Sequence, residues 1–395
     1  MSTSMAVGHA ASGDGAAQGR AAAGEAMGAL IGSPVLGIVF ASSKLDLTGV
    51  ARGIREVVPE GVPVIGCSTA GEFVTDRISS GGAALALIAS DEITVATTLA
   101  TGLRAGTARC VRQLVDGVTR SRRPLPGDGG SATQRTVLLL SDGMAGDGEG
   151  LVDTLAMELG GGVSLVGGAA GDDAAFKETV VLLDGRVAKD AAVVCEMTTR
   201  KRVGIGVHHG WCAASRRGTV TQAEGARLIA IDGRPAIEFY REYARQKGVE
   251  LTPENQNQFV FTHELGIVLM NDELKVRAPL SVLGDGSIHC TTEVPTGQQV
   301  AIVEGDHGAI VAAARQASAT AVRQLGGQRP AGCIVFDCVA RKMVLGEGFH
   351  REVEAFAEAT RVPVIGFNTY GEIARVRGQL SGFHNTTAVV CVLPA

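Results

Sequence analysis

Short apolar runs rich in β-branched residues alternate with helical stretches along most of this chain. Val35-Leu36-Gly37-Ile38-Val39-Phe40 is followed by helical spacing over 45–58, then by Val62-Pro63-Val64-Ile65-Gly66 and a further apolar run over 84–89. Runs of this length and composition read as buried strands. The same order returns near the end of the chain: 332–336, a helix over 350–360, Val362-Pro363-Val364-Ile365-Gly366, and 387–393. Eight of the twelve residues from Val62 to Phe73 are identical to those from Val362 to Ile373. A weaker middle copy reads as a strand over 136–140, a helix over 150–159, the run Val163-Ser164-Leu165-Val166-Gly167-Gly168, and a closing strand over 192–197; it lacks the Pro and the Gly-Glu of the other two. A recurring supersecondary unit is the signature of internal duplication. Gly at the end of each apolar run permits a sharp turn or a close ligand approach, so each copy is expected to aim a polar loop off a core strand.

Elsewhere the pattern predicts strands over 93–98, 203–207, 219–221 and 228–231, and helices over 107–119 and 236–246, the latter opened by Pro235. Asp184-Gly185 and Asn271-Asp272-Glu273 mark hairpins, and Asp306 caps a helix reaching about residue 325. Hairpins among alternating strands and helices imply an internally duplicated α/β fold, with mixed β-sheets and helices packed on their faces. Residues 1–32, rich in Ala and Gly, read as a small-residue leader. The N-terminal domain is expected over 33–230 and the C-terminal domain over 231–395, their pseudo-equivalent loops meeting around a common hollow.

Composition narrows the classes. A net charge of −5 argues against a dedicated nucleic-acid binder, and Arg120, Arg122 and Arg123 fall in a Pro/Gly-rich stretch that reads as a solvated linker. No apolar stretch reaches the ~20 residues of a membrane span. The first 26 residues lack the pattern of a secretion signal, which gives a cytoplasmic expectation. The eight cysteines form no Cys-x-x-Cys pair, and Cys67, Cys195, Cys333 and Cys391 lie in or beside apolar runs as small hydrophobes. Neither a disulfide framework nor a structural zinc site is expected.

The candidate site follows from the repeat. Glu72 and Glu372 either accept a ligand ammonium or fix their own loops through backbone N–H groups. Thr69 and Thr369 either donate to a ligand carboxylate or cap a local turn. Cys67, Gly71, Asn368, Tyr370 and Gly371 share these loops, and His384 and Asn385 precede the closing strand. His384, His289 and His208 are the metal ligands expected if haem is held, non-covalently as haem b because no Cys-x-x-Cys-His is present. His208 and His209 are adjacent on a strand and point to opposite faces; His263 and His350 read as solvated. Cys67 on a turn with a distant His is the one nucleophile–base option. Phe367 at the equivalent place in the other copy, and the lack of a phosphate-binding or dinucleotide fingerprint, leave the chain reading as no enzyme.

These residues resemble the FIST family, the "F-box and intracellular signal transduction" sensory domains. Gly366-Phe367-Asn368-Thr369-Tyr370-Gly371-Glu372 and Phe383-His384-Asn385-Thr386-Thr387 carry most of the likeness. Gly210-Trp211, Thr219-Val220-Thr221, Asp232-Gly233-Arg234-Pro235-Ala236, Gly66 to Glu72, and Gly167 to Asp172 add to it, from about residue 33 to the end. The absence of a preceding F-box-like segment resembles the bacterial stand-alone form. The resemblance implies two FIST-type halves and a small-ligand sensor, amino acids being among the ligands, that passes its state to a partner. A bacterial subset resembles haem-bound nitric oxide sensors acting on a histidine kinase or a cyclic-di-GMP enzyme.

Overall fold

The structure is a computed structural model and describes residues 3–125, 133–376, 378–379 and 381–395. By internal packing the chain forms two compact units: Met1–His208 with Ala313–Phe383 and Ala388–Ala395, and His209–Ala312 with His384–Thr387.

The first unit contains one motif three times. Copy one is β1 (Ser4–Ala10), α1 (Gly15–Ala29), β2 (Pro34–Ser42), α2 (Leu47–Arg55), β3 (Val64–Thr69), β4 (Glu72–Val74), β5 (Arg77–Ser79) and β6 (Ala83–Ala89). Copy two is β7 (Ile93–Thr101), α3 (Thr107–Ser121), β8 (Gln134–Ser141), α4 (Gly148–Leu159), β9 (Val163–Ala169), β10 (Val181–Leu183), β11 (Arg186–Ala188) and β12 (Ala191–Thr199). Copy three begins with β13 (Gly204–His208). The second unit then intervenes, with β14 (Cys212–Ala213), β15 (Gly218–Glu224), β16 (Arg227–Ile231), β17 (Arg234–Pro235), α5 (Ala236–Gln246), α6 (Gln256–Thr262), β18 (Glu264–Val268), β19 (Leu274–Arg277), β20 (Pro279–Val282), β21 (Ile288–Cys290) and β22 (Gln299–Glu304). Copy three resumes with α7 (His307–Gln324), β23 (Pro330–Cys338), α8 (Val339–Leu345), α9 (Phe349–Thr360), β24 (Val364–Thr369), β25 (Gly371–Arg375), β26 (Gly382–His384) and β27 (Ala388–Pro394).

Each copy builds a six-stranded mixed sheet, and the copies exchange strands. β2, β8 and β23 run parallel to β3, β9 and β24 in matching register: Ser42 pairs with Thr69, Ser141 with Ala169, and Cys338 with Thr369. The strand after each loop then crosses to another copy's central strand. β4 pairs with β24, β25 with β9, and β10 with β3. The three sheets thereby close on one another around a shared core. Phe40, Phe336 and Phe367 meet there at centroid separations of 4.4–6.3 Å, surrounded by Ile38, Leu138, Leu140 and Val166.

The outer faces are covered by helices. α2 puts Leu47, Val50, Ala51 and Ile54 inward at helical spacing, and Asp46 caps it by accepting from Thr48 N. The residues read as a leader form β1 and α1 and join the first sheet, β1 pairing with β6 over seven residues. Their small side chains have a packing reason. A Cβ on Gly19 would stand 2.1 Å from the Val50 carbonyl oxygen of α2, and one on Gly53 would stand 2.0 Å from that of Ala16, so α1 and α2 approach backbone to backbone.

Other expectations fare variously. Asp184-Gly185 turns the β10–β11 hairpin with both residues at positive φ. Asp306 caps α7 through Ala309 N at 2.7 Å. Arg120 lies within α3, and Arg122 is tied to the buried Glu196 together with Arg135. The rest of the expected linker, 126–132, lies outside the described residues. Gly66 and Gly366 sit inside β3 and β24, not at their ends. A Cβ on Gly66 would meet the Val39 carbonyl oxygen at 2.1 Å, so this glycine admits a neighbouring strand. Among the described residues no helix is long and apolar enough to cross a membrane.

Candidate functional site

The three loops that leave β3, β9 and β24 meet at the carboxyl ends of those strands. The strand register aligns Gly71-Glu72, Gly171-Asp172 and Gly371-Glu372. The middle copy, expected to lack this pair, therefore carries Gly-Asp in its place. Backbone hydrogen bonds link the loops in a ring. Ala70 N donates to Asn368 O and Asn368 N to Gly71 O; Tyr370 N donates to Ala169 O; Gly171 N donates to Ser68 O.

The acidic residues fasten their own loops. Thr69 Oγ1 donates to Glu72 at 2.7 Å, and Thr369 Oγ1 donates to Glu372 in the same way. Glu72 also accepts from Ser79 Oγ and from Gly81 N and Gly82 N. Asp172 accepts from the backbone N–H groups of Phe176, Lys177 and Glu178 and from the Tyr370 hydroxyl. Glu72, Glu372, Thr69 and Thr369 are fully buried. Of the two roles open to Glu72 in the sequence, this geometry is that of loop fixing.

Burial holds the Glu72 carboxyl above the usual range, with its hydrogen bonds acting the other way. A carboxyl raised on folding stabilises the native state below its unfolded value near 4.3, and the contribution is lost as pH rises through the folded value. Glu72→Gln keeps the shape and escapes that loss. The difference in urea midpoint between variant and parent should move in favour of the variant as pH rises from about 4 to about 8.

Beside this ring lies a polar group that sequence reasoning did not assemble. Asp173 has φ 54° and its N donates to Thr69 O, which aims its carboxylate back at β2. Ser42 Oγ and Ser43 Oγ donate to Asp173 Oδ2 at 2.7 and 2.9 Å, while Oδ1 accepts no hydrogen bond and has Lys44 Nζ 3.7 Å away. Lys342, on α8, reaches in from copy three and donates to Ala70 O at 3.0 Å and Ser80 Oγ at 2.8 Å. Burial lowers its ammonium below the usual lysine range, and Glu72 and Asp173 oppose the shift. Asn368 Oδ1 is buried and accepts no hydrogen bond; its Nδ2 donates to Asp337 at 3.3 Å. Lys342 Nζ and Asn368 Oδ1 lie 2.2 and 2.8 Å from where a Cβ on Gly71 would stand, which explains the glycine. Asp337 in turn belongs to a fully buried cluster with Arg341 and Glu352.

The remaining expected residues are dispersed. Cys67 is buried in the shared core, and burial pushes its thiol well above the usual range, so it is neither on a turn nor poised as a nucleophile. Tyr370 is half-buried and stacks on Phe176 at 4.6 Å. A Cβ on Gly371 would stand 1.9 Å from the Phe383 ring. His384 and Asn385 are buried in the second unit, where Asn385 accepts from Thr291 Oγ1 at 2.7 Å and Thr386 O accepts from Trp211 Nε1 at 3.1 Å. His289 is exposed on β21, and His208 on β13 stands 3.4 Å from Thr320 Oγ1. His263 is half-buried and stacked on Phe259 at 3.9 Å, unlike the solvated reading; His350 is exposed. Among the described residues no three His, Cys, Asp or Glu side chains are grouped to hold a metal ion.

The FIST N domain matches residues 35–234, half of the chain, and the FIST C domain matches residues 236–375. The chain belongs to the FIST family. FIST domains are small-ligand sensors of signal transduction, and both halves of the two-domain form are present here. A curated relative is an uncharacterized protein of Methanocaldococcus jannaschii, MJ1623, 30% identical over 92 residues. That match spans 23% of this chain and 18% of the relative. The Gly71-Glu72 and Gly371-Glu372 loops of the two FIST halves are thus local parts of a ring that also needs the middle copy.

Proposed function

We propose that this FIST protein senses a small polar molecule received beside the loop ring by Asp173, Lys342 and Asn368. One observation carries the reading: two buried acceptors without hydrogen-bond donors, Asp173 Oδ1 and Asn368 Oδ1, flank a half-buried ammonium. Native proteins rarely leave such groups unmet, and a ligand N–H or O–H donor would meet them. Lys342 and Lys44 suit a negatively charged or carbonyl oxygen on the same molecule. Thr69, Gly71, Glu72, Thr369, Gly371 and Glu372 hold the ring that presents these groups. Asp173 belongs to copy two and Lys342 and Asn368 to copy three, while Lys44, Ala70 and Ser80 of copy one touch Asp173 or Lys342, so an occupant would bias how the copies sit against one another. A partner signalling protein, of the histidine kinase or cyclic-di-GMP enzyme kind, would then read that bias. Signalling requires the ligand to bind one state better than the other.

A thermal-unfolding screen of small amines, hydroxy acids and zwitterions tests the assignment. A ligand at about one hundred times its Kd adds about 2.7 kcal/mol of stability. The shift should vanish in Asp173→Asn and in Lys342→Met while both variants stay folded. A ligand whose effect survives both changes would refute the assignment. The sensor proposed here is colourless, so a Soret band in protein made with haem supplied would favour the haem reading instead. Sequential replacement of His384, His289 and His208 by alanine would then find the ligand to iron.

A further inference from the structure

At the opposite, amino-terminal ends of the same strands lies a cavity of about 870 Å³ that the loop ring does not use. Its walls come from copies one and two: the start of β2 at Pro34 and Val35, the turn at Val62 and Pro63 that leads into β3, the first half of β7, and the end of α3. A volume of this order suits a small organic ligand, and the wall is mixed, apolar at the starts of β2 and β3 and at Ile93 and Val95, with Arg55, Glu60, Thr97 and Arg123 among its polar members.

The charged groups on the wall divide into two kinds. Arg55 is satisfied within the protein, donating to Asp184 at 2.6 Å and to Pro59 O at 3.2 Å. The side chains of Arg123 and Glu60 make no hydrogen bond or ion pair among the described residues, nor does the Thr97 hydroxyl. The Arg123 backbone is held against β7, where Thr94 Oγ1 donates to its carbonyl oxygen at 3.2 Å. A planar guanidinium with a free fork recognises a carboxylate or another planar oxyanion in two-point fashion. Glu60 on the same wall opposes a second negative charge. The apolar residues at the β2 and β3 entrances ask for a hydrocarbon body.

We propose that this cavity is a second ligand site, for a monocarboxylate with an apolar body, its carboxylate on Arg123 and Thr97. A central strand of six residues, about 20 Å long at the usual rise, runs between this site and the ring. An occupant here packs between copies one and two, whereas the ring joins all three, so the protein has two inputs acting on one closed assembly.

The test uses the full chain and three probes: hexanoate, hexanamide and adipate. Hexanoate should raise the unfolding temperature saturably, with hexanamide and adipate having little effect. Arg123→Met, at an exposed position, should weaken hexanoate roughly tenfold or more, the worth of a charge-assisted hydrogen bond. Thr97→Trp should weaken the effect strongly by placing an indole where the carboxylate would sit and removing its hydroxyl partner. Lys342→Met should leave it intact, which separates failure here from failure of the ring site. No saturable shift with hexanoate, equal shifts with all three probes, or a shift unchanged in both Arg123→Met and Thr97→Trp would overturn the proposal.

Discussion

Arg341→Ala is expected to cost about 3–5 kcal/mol of stability, the largest loss of any single change considered in this protein. Arg341 is completely buried. Its Nε donates to Asp337 at 2.9 Å and to Glu352 at 3.0 Å, and its Nη2 donates to Glu352 as well. Both carboxyl groups are pushed above their usual range, chiefly by burial, and Glu352 pushes Asp337 further. Removing the guanidinium leaves two acidic groups in an apolar interior with nothing to balance them. They would then have to take up protons or draw in water, and either costs stability. Glu352→Gln provides the contrast. It keeps an acceptor for Arg341 and removes one of the two competing charges, so it should cost far less. Chemical denaturation of the two variants at neutral pH decides the matter; equal losses would mean that charge balance is not what Arg341 supplies. Asp337 also accepts from Asn368, so Arg341→Ala should weaken ligand binding at the ring along with stability.

Gly66→Ala should cost on the order of 3 kcal/mol although it adds one methyl group. The atom it would strike is the carbonyl oxygen of Val39, a backbone atom of the adjacent parallel strand, 2.1 Å from the new Cβ. A side chain can rotate away from such a clash, but a strand paired on both sides cannot. β2 is held by β6 and β3, and β3 by β2 and β10. The middle copy has the same arrangement one residue later, where a Cβ on Gly167 would meet Leu139 O at 1.8 Å. Gly61→Ala is the control: its Cβ would meet nothing within 4 Å, although its φ of +85° carries a backbone cost of roughly 1–2 kcal/mol. Urea midpoints for the two variants should therefore differ clearly. If Gly66→Ala proved the milder change, strand proximity would not be the reason for this glycine.

The ring and its neighbours were legible only in part. The repeat singled out Thr69, Gly71, Glu72 and their counterparts correctly as one recurring structure, because the Thr–Glu hydrogen bond spans three residues and is local. Asp172 stood out only through the family likeness, its equivalence to Glu72 and Glu372 being hidden by a shorter acid and a longer following loop. Asp173 and Lys342 carried no signal. Neither belongs to the repeated twelve residues, and 169 positions separate them in the chain.

The sequence by itself determined most of the longer strands, most of the helices and the duplication, since apolar periodicity, caps and turn residues act between near neighbours. It could not settle which copy each short strand would join. β4, β10 and β25 each carry too few residues to specify a partner, and their pairing follows from closing three sheets around Phe40, Phe336 and Phe367. Tertiary structure likewise turned an Ala/Gly-rich beginning into an edge strand and a helix, because smallness there serves a backbone-to-backbone contact with α2 that periodicity does not record. The polar groups left to meet a ligand were also decided at that level. A buried acceptor lacks a donor only in relation to everything folded around it, and no stretch of sequence contains that relation.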